Sequence, residues 1–372
     1  MNVARPDFMR DNRTMPAVPW RHHQRRHFVS GRNFGATLVA AASLVLSATP
    51  VWAATTTLGI AGARFTLNGR PAFLYGISYY GGLGAPTNLV SRDLEDLQRS
   101  GFNWLRVWAT WSGFSNDVAA VDALGNGREP YLTRLKQLVA DCDRRGLVVD
   151  VTLSRGDGRN GSPALPTFAA HQQAVSTLVA ALKPWHNWYL DLANERNIRD
   201  ARFASIAEIS QLVTRAHTLD PELRVTASHG GDLNREELAE YLLTARVDFI
   251  APHRPRDAGS AAQTEARTRE YLAWMQTLGR VVPVHYQEPM RRGYADWNPG
   301  TDDFATDLRG AIAGGAAGWC FHNGSQRTGK RELPRRSFDL RNLRLFAQLD
   351  AVERQAIAQM QPVAVSAAGA EK

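Results

Sequence analysis

Cysteine is scarce in this chain, with two residues in 372. A scaffold stapled by disulfides is therefore excluded, and the fold must rest on its own hydrophobic core. Cys142 falls on the apolar face of a helical pattern with Leu132, Leu135 and Leu138, and Cys320 falls in an apolar strand pattern. Both read as core residues rather than as a bridge or a metal pair. Long hydrophobic runs are also missing. The one sustained apolar stretch, Phe34 to Ala48, is about 15 residues, short for a stable membrane span. A large charge imbalance is absent once position is considered. The formal charge is +8, but residues 1–53 hold seven Arg, no Lys and two Asp. The rest of the chain is close to balanced, so no basic surface for nucleic acid is indicated. No Gly-rich phosphate loop follows the first strand, which disfavours the main rival fold, an open doubly wound sheet.

What is present begins with the N-terminus. Arg25-Arg26-His27-Phe28-Val29, the apolar run, then Pro50 and Val51-Trp52-Ala53 read as an export signal over 1–53. The arginine pair is similar to the twin-arginine signal, with an ordinary secretory signal as the alternative. The expected mature protein is periplasmic or extracellular.

From there strand and helix patterns alternate to the end of the chain. Phe65-Thr66-Leu67 followed by Asn68-Gly69 predicts a short β-hairpin. Eight β-rich runs follow: Phe73–Ile77, Asn103–Trp108, Val148–Leu153, Trp188–Ala193, Arg224–Ser228, Val247–Pro252, Val282–Tyr286 and Ala317–His322. Helical spacing separates them, as in Ile206, Ile209, Val213 and Ala216. A last helix is expected around Leu340–Val352, then a frayed tail over 357–372. Eight βα units over 54–356 predict one α/β domain, a (β/α)8 barrel. Loop lengths agree: helix-to-strand links are short, whereas 110–129, 154–167, 289–302 and 323–336 are long strand-to-helix links. All of those emerge on the face where such barrels carry their sites.

Glu195 ends the fourth strand in Leu190-Asp191-Leu192-Ala193-Asn194-Glu195, and Glu288 ends the seventh in His285-Tyr286-Gln287-Glu288-Pro289. Two carboxylates facing one cleft suit cleavage of a glycosidic bond. One, ionised, is the nucleophile and the other, with a raised pKa, is the acid/base. Asn194 is then placed beside the sugar's 2-hydroxyl.

On these residues the chain resembles the clan A glycoside hydrolases, most closely the cellulase-type family five. Phe65 to Pro71 with Gly76-Ile77-Ser78-Tyr79 is similar to that family's opening hairpin and first strand, and Gly101 to Arg106 to its second strand. The resemblance implies that Glu195 is the acid/base and Glu288 the nucleophile, supported by Arg106, and that Trp319 is a sugar platform. It also implies retention of configuration through a covalent glycosyl-enzyme, with carboxylates about 5–5.5 Å apart. The chain departs from the family where Leu153-Ser154-Arg155 replaces a histidine near strand three. It departs again where His253-Arg254-Pro255 lacks the tyrosine of the strand-six motif.

His253 is placed to contact the sugar or the nucleophile, or to close a hydrogen-bond network. Tyr79, Tyr80, Trp108, Trp111 and Trp297 are candidates for stacking on pyranose faces, with packing under a loop as the alternative for each. Arg254, Arg256, Arg291 and Arg292 form either a solvated face or a contact for acidic groups on the substrate. The expected partner is an oligo- or polysaccharide, with no cofactor and no metal. Two rival functions stand beside this one. One is a metal-dependent barrel hydrolase using His229 and His253, though strand one lacks the His-x-His of a binuclear site. The other is a glycan-binding barrel without catalysis.

Overall fold

The structure is a computed structural model and describes residues 56–113, 116–154, 165–199, 202–293, 297–324 and 339–369. The proposed export signal, and the loop residues 155–164 and 325–338, lie outside the described residues.

Seven parallel strands run in the order expected of a barrel. They are Leu74–Ser78, Trp104–Trp108, Val148–Thr152, Trp188–Asp191, Arg224–Thr226, His285–Tyr286 and Gly318–Phe321. The eighth member lies between Arg224–Thr226 and His285–Tyr286, and only Pro252–His253 of it is regular strand. Its backbone nonetheless closes the ring. Asp248 N–H donates to the Val225 carbonyl, Ile250 N–H to the Pro283 carbonyl, and His285 N–H to the Ile250 carbonyl. The fold is thus the (β/α)8 barrel that the alternating pattern predicts.

Inward side chains stack in layers. Leu74, Trp104, Val148, Tyr189, Phe249 and Ala317 form the lower apolar layer. The Trp104 ring fits there because its neighbour is Gly76, where a Cβ would lie 1.7 Å from the ring. The hairpin gains a further strand to make a three-stranded antiparallel sheet, Leu58–Ala61, Arg64–Leu67 and Arg70–Ala72. Its Phe65 plugs the lower mouth, edge-on to Phe249 at 5.1 Å and to His285 at 5.5 Å.

The helices bury the faces their spacing indicates. Helix α1 spans Thr87–Arg99. Helix α2, Tyr131–Arg144, buries Leu135, Leu138, Val139 and Cys142. It stops at Gly146, whose φ of 74° is the left-handed value that glycine tolerates best. Helix α3 is Phe168–Leu182. Helix α4, Ile206–Leu219, opens on a capping box of Ser205 and Glu208 and buries Ile209, Leu212, Val213 and Ala216. Helix α5, Arg235–Ala239, runs into a wider turn over Glu240–Ala245. Helices α6, Ser260–Thr277, and α7, Thr301–Gly314, complete the ring on that side. Both cysteines are buried and free, as expected.

The C-terminus differs from expectation. A short helix α8, Leu345–Gln348, precedes α9, Ala351–Gly369, which runs through Pro362. The frayed tail expected from 357 is therefore helical as far as 369. Ile357, Met360 and Ala364 are buried, and Gln361 Nε2 donates to the Arg99 carbonyl at 2.7 Å. Packing of a few apolar positions outweighs a composition with little amphipathic signal. Among the described residues no helix is long and apolar enough to cross a membrane.

Candidate active site

Glu195 and Glu288 meet at the C-terminal mouth of the barrel. One carboxylate oxygen of each and one ring nitrogen of His253 lie within 4.8 Å of one another. Glu195 is delivered by strained backbone. Its φ is 48°, left-handed and costly for a side chain with a Cβ. Three hydrogen bonds hold the turn: Asn194 N–H to the Leu153 carbonyl (2.8 Å), Glu195 N–H to Ser228 Oγ (3.0 Å) and Arg196 N–H to the Ser228 carbonyl (3.0 Å). Arg196 anchors the far side, its Nε donating to Tyr241 Oη at 2.9 Å. Strain of this kind persists only where the surroundings over-determine it, as those hydrogen bonds do here.

Glu288 is gripped on two sides. Its Oε1 accepts from Arg106 Nη1 and from Tyr80 Oη (3.0 Å). Its Oε2 accepts from Arg256 Nη2 at 2.7 Å and lies 3.6 Å from His253 Nδ1. Burial works to raise its pKa, but His253, Arg106 and Arg256 outweigh it and hold Glu288 well below the usual carboxylate value. That suits an ionised nucleophile.

Arg106 is wholly buried and radiates to acceptors all round. Nη2 reaches Asp191 Oδ2 and Asn194 Oδ1, both at 3.0 Å, and Nε lies 3.1 Å from Asp150 Oδ2. Strand register explains this, since Arg106 is paired directly with Asp150 in the sheet. Burial pushes Asp150 up, to about 8, against the charge of Arg106. We assign the ionised form because Arg106, Thr152, Tyr189 and Gln287 all aim donors at it.

Glu195 differs from the raised proton donor expected of the sequence. Burial works to raise its pKa, but the hydrogen bond and charge of His253, aided by Arg256, outweigh burial and the repulsion of Glu288. The result is about 2. His253 Nδ1 donates to Glu195 Oε1 at 3.2 Å, and Arg256 Nη2 lies 3.8 Å from the same oxygen.

Of the candidate residues, Glu195, Glu288, Arg106, Asn194 and His253 converge. Trp108 joins them at the rim, its ring 5.8 Å from the Arg106 guanidinium and packed on Tyr80 and Trp111. Trp108 and Trp111 are nearly fully buried, and Trp297 packs on the core. Two candidates do not join. Trp319 faces outward, fully buried, its Nε1 donating to Asp307 Oδ2 of α7 at 2.6 Å, so it is no platform in the cleft. Tyr79 also faces outward and donates to Asp93 of α1 at 3.1 Å. The strand alternation that turns them out turns their neighbours in. Tyr80 follows the inward Gly76 and Ser78, and His322 follows the inward Cys320. Tyr80 Oη lies 2.9 Å from His322 Nε2. His322 and the hydrogen bond from Tyr80 to Glu288 were missed, although counting by two along each strand points to both.

Tautomer logic fixes His322. Arg291 Nη1, which can only donate, lies 3.0 Å from its Nε2, and the Pro289 carbonyl, which can only accept, lies 3.3 Å from its Nδ1. The ring is therefore the neutral Nδ1–H form, and burial holds its pKa well down. The arginine cluster divides. Arg254 is fixed to Asp232 (2.5 Å) and Arg292 to Asp350 (2.8 Å), while Arg256 donates to Glu288 and Arg291 lies against His322.

Glu195, His253 and Glu288 are close enough together to hold a cation. Both oxygens of Glu288 already accept from arginine, however, and a divalent ion would sit against those guanidinium groups. His229 is not in this group. It lies against Tyr241, Asn197 and Glu237.

A closed (β/α)8 barrel with paired carboxylates at its C-terminal mouth defines the class of architecture. The chain is similar in fold to solved structures of glycoside hydrolases. A family 5 glycoside hydrolase mannosidase from Rhizomucor miehei superposes with a TM-score of 0.62 at 13% identity, covering 86% of this chain and 99% of that one. An endo-1,4-β-D-mannanase from Thermotoga petrophila superposes with a TM-score of 0.56 at 15% identity, covering 78% and 99%. At this identity the likeness establishes the fold. No family model and no curated protein matches the sequence.

Proposed function

We propose that this chain is a retaining glycosidase acting on a β-linked glycan by double displacement. The observation that carries the reading is the approach of Glu195 and Glu288 to within 4.8 Å at the mouth, from the ends of strands four and seven. That spacing leaves no room for a water between carboxylate and sugar, as inversion would need. Glu288 Oε1 is held by Arg106 and Tyr80, so Oε2 is the attacking atom at the anomeric carbon. Glu195, ionised before substrate binds, takes up a proton from solvent as substrate displaces Arg256 from beside it. It gives that proton to the leaving oxygen, then takes one from the water that breaks the glycosyl ester. Asn194, oriented by Arg106, faces the 2-hydroxyl. The similarity to mannosidases and mannanases makes β-mannosides the first substrates to test. Export by the twin-arginine route, which would deliver the protein to an extracytoplasmic glycan, belongs to the same reading.

The test is product release from β-linked manno- and gluco-oligosaccharides by wild type, Glu195→Gln and Glu288→Gln. Both variants should lose turnover by roughly a thousandfold or more while remaining folded, with Glu288→Gln melting lower because Arg106 loses a buried ion-pair partner. Turnover that survives either substitution would overturn the assignment.

A further inference from the structure

Arg256 sits where the reaction proposed above would have to occur. Its Nη2 is 2.7 Å from Glu288 Oε2 and 3.8 Å from Glu195 Oε1, between the two carboxylates. The transition state there is oxocarbenium-like and carries positive charge on the sugar ring. A guanidinium in the same space opposes that charge and occupies the same volume. For a sugar to engage Glu288 Oε2, Arg256 must leave. The side chain is at the edge of the cleft, 15% exposed, on a loop whose next three residues, Asp257 to Gly259, are exposed. Its route out is therefore toward the rim.

We infer, resting on the glycosidase reading, that Arg256 is a displaceable counter-ion, and that the glycan which displaces it carries an anionic substituent for Arg256 to meet at the rim. A neutral sugar would strip the guanidinium from two carboxylates and offer nothing in return. An anionic group offers a replacement partner, and the relocated cation shields that group from Glu195 and Glu288. The second cation of the rim supports this. Arg291 approaches the same rim from the loop after strand seven, its Nη1 3.0 Å from His322 Nε2, and adds positive charge there. The substituent is a carboxylate or a sulfate, since a guanidinium recognises either. Moving Arg256 away also removes one of the charges that keep Glu195 from holding its proton.

The experiment is calorimetric binding of three hexamers to the whole protein: β-1,4-linked mannose, β-1,4-linked mannuronic acid, and the 6-sulfated mannose hexamer. The two anionic probes distinguish the sources of charge. At low ionic strength wild type should bind at least one anionic hexamer about tenfold more tightly than the neutral one. Arg256→Gln should bring that ratio to about one, and Arg256→Lys, which keeps the charge, should retain most of it. Added salt should weaken the anionic hexamer selectively in wild type, a readout that needs no variant. Equal or tighter binding of the neutral hexamer, no detectable binding of either anionic one, or an unchanged ratio in Arg256→Gln would each overturn the inference. Loss of turnover in the glutamate variants tests the glycosidase reading separately, so the two can fail independently.

Discussion

Replacing Arg106 by leucine is the most demanding perturbation of this site. The side chain is fully buried and lies between Glu288, Asp191 and Asp150, with Asn194 on the same nitrogen as Asp191. Leucine fills part of the volume but leaves those carboxylates without their shared counter-charge. Glu288 keeps Arg256 and Asp150 keeps its neutral donors, whereas Asp191 loses its ion pair with Arg106. Removing one partner of a buried ion pair costs about 3–5 kcal/mol. In a chain of this size roughly 2 °C of melting temperature follows each kcal/mol, so the expected loss is about 6–10 °C at neutral pH. The pH dependence has a definite sign. In wild type the depressed pKa of Glu288 supplies stability that is present above its unfolded value and lost as pH falls through its folded value. Without Arg106 that depression shrinks or reverses, so buried carboxylates take up protons at higher pH and the folded variant is relieved. The gap between wild type and variant should be widest near pH 7 and narrow toward pH 4. Thermal melts across that range, followed by circular dichroism, provide the assay. A loss under about 2 °C at pH 7, or a gap that widens on acidification, would refute the account of Arg106 as the charge that holds this site together.

Tyr80→Phe removes a donor to the ionised Glu288, an interaction worth about 1.5–3 kcal/mol, so kcat/KM on the best substrate should fall roughly 10- to 150-fold; a change within twofold would count against Oε1 being held in this way. His253→Ala removes a group that depresses both glutamates, so both pKa values rise and the whole pH–activity profile should move to higher pH; a profile that stays or moves down contradicts the assignment. Trp319→Phe takes the indole donor from Asp307 and should cost about 1–3 kcal/mol of stability while leaving kcat/KM close to wild type. A large kinetic effect without a stability change would return Trp319 to the cleft.

Local pattern was enough for much of this architecture. Strand and helix periods are set by neighbours a few residues apart, so eight βα units, the faces of α2 and α4, and the positions of Glu195 and Glu288 at strand ends were all legible in order along the chain. Face assignment beyond a strand's end was less so, because a shift of one residue exchanges inside for outside. The family resemblance put Trp319 in the cleft and the aromatic pattern offered Tyr79 beside Tyr80, whereas the barrel turns Trp319 and Tyr79 outward and brings in Tyr80 and His322. The helix over 351–369 was hidden for a different reason: its stability comes from burial of Ile357, Met360 and Ala364 against the rest of the fold rather than from its own composition. The charge state of Glu195 lies further still from the sequence. A carboxylate's pKa depends on which groups lie within a few ångströms. Only closure of the barrel brings His253 and Arg256, some sixty residues along the chain, against Glu195 and Glu288 together.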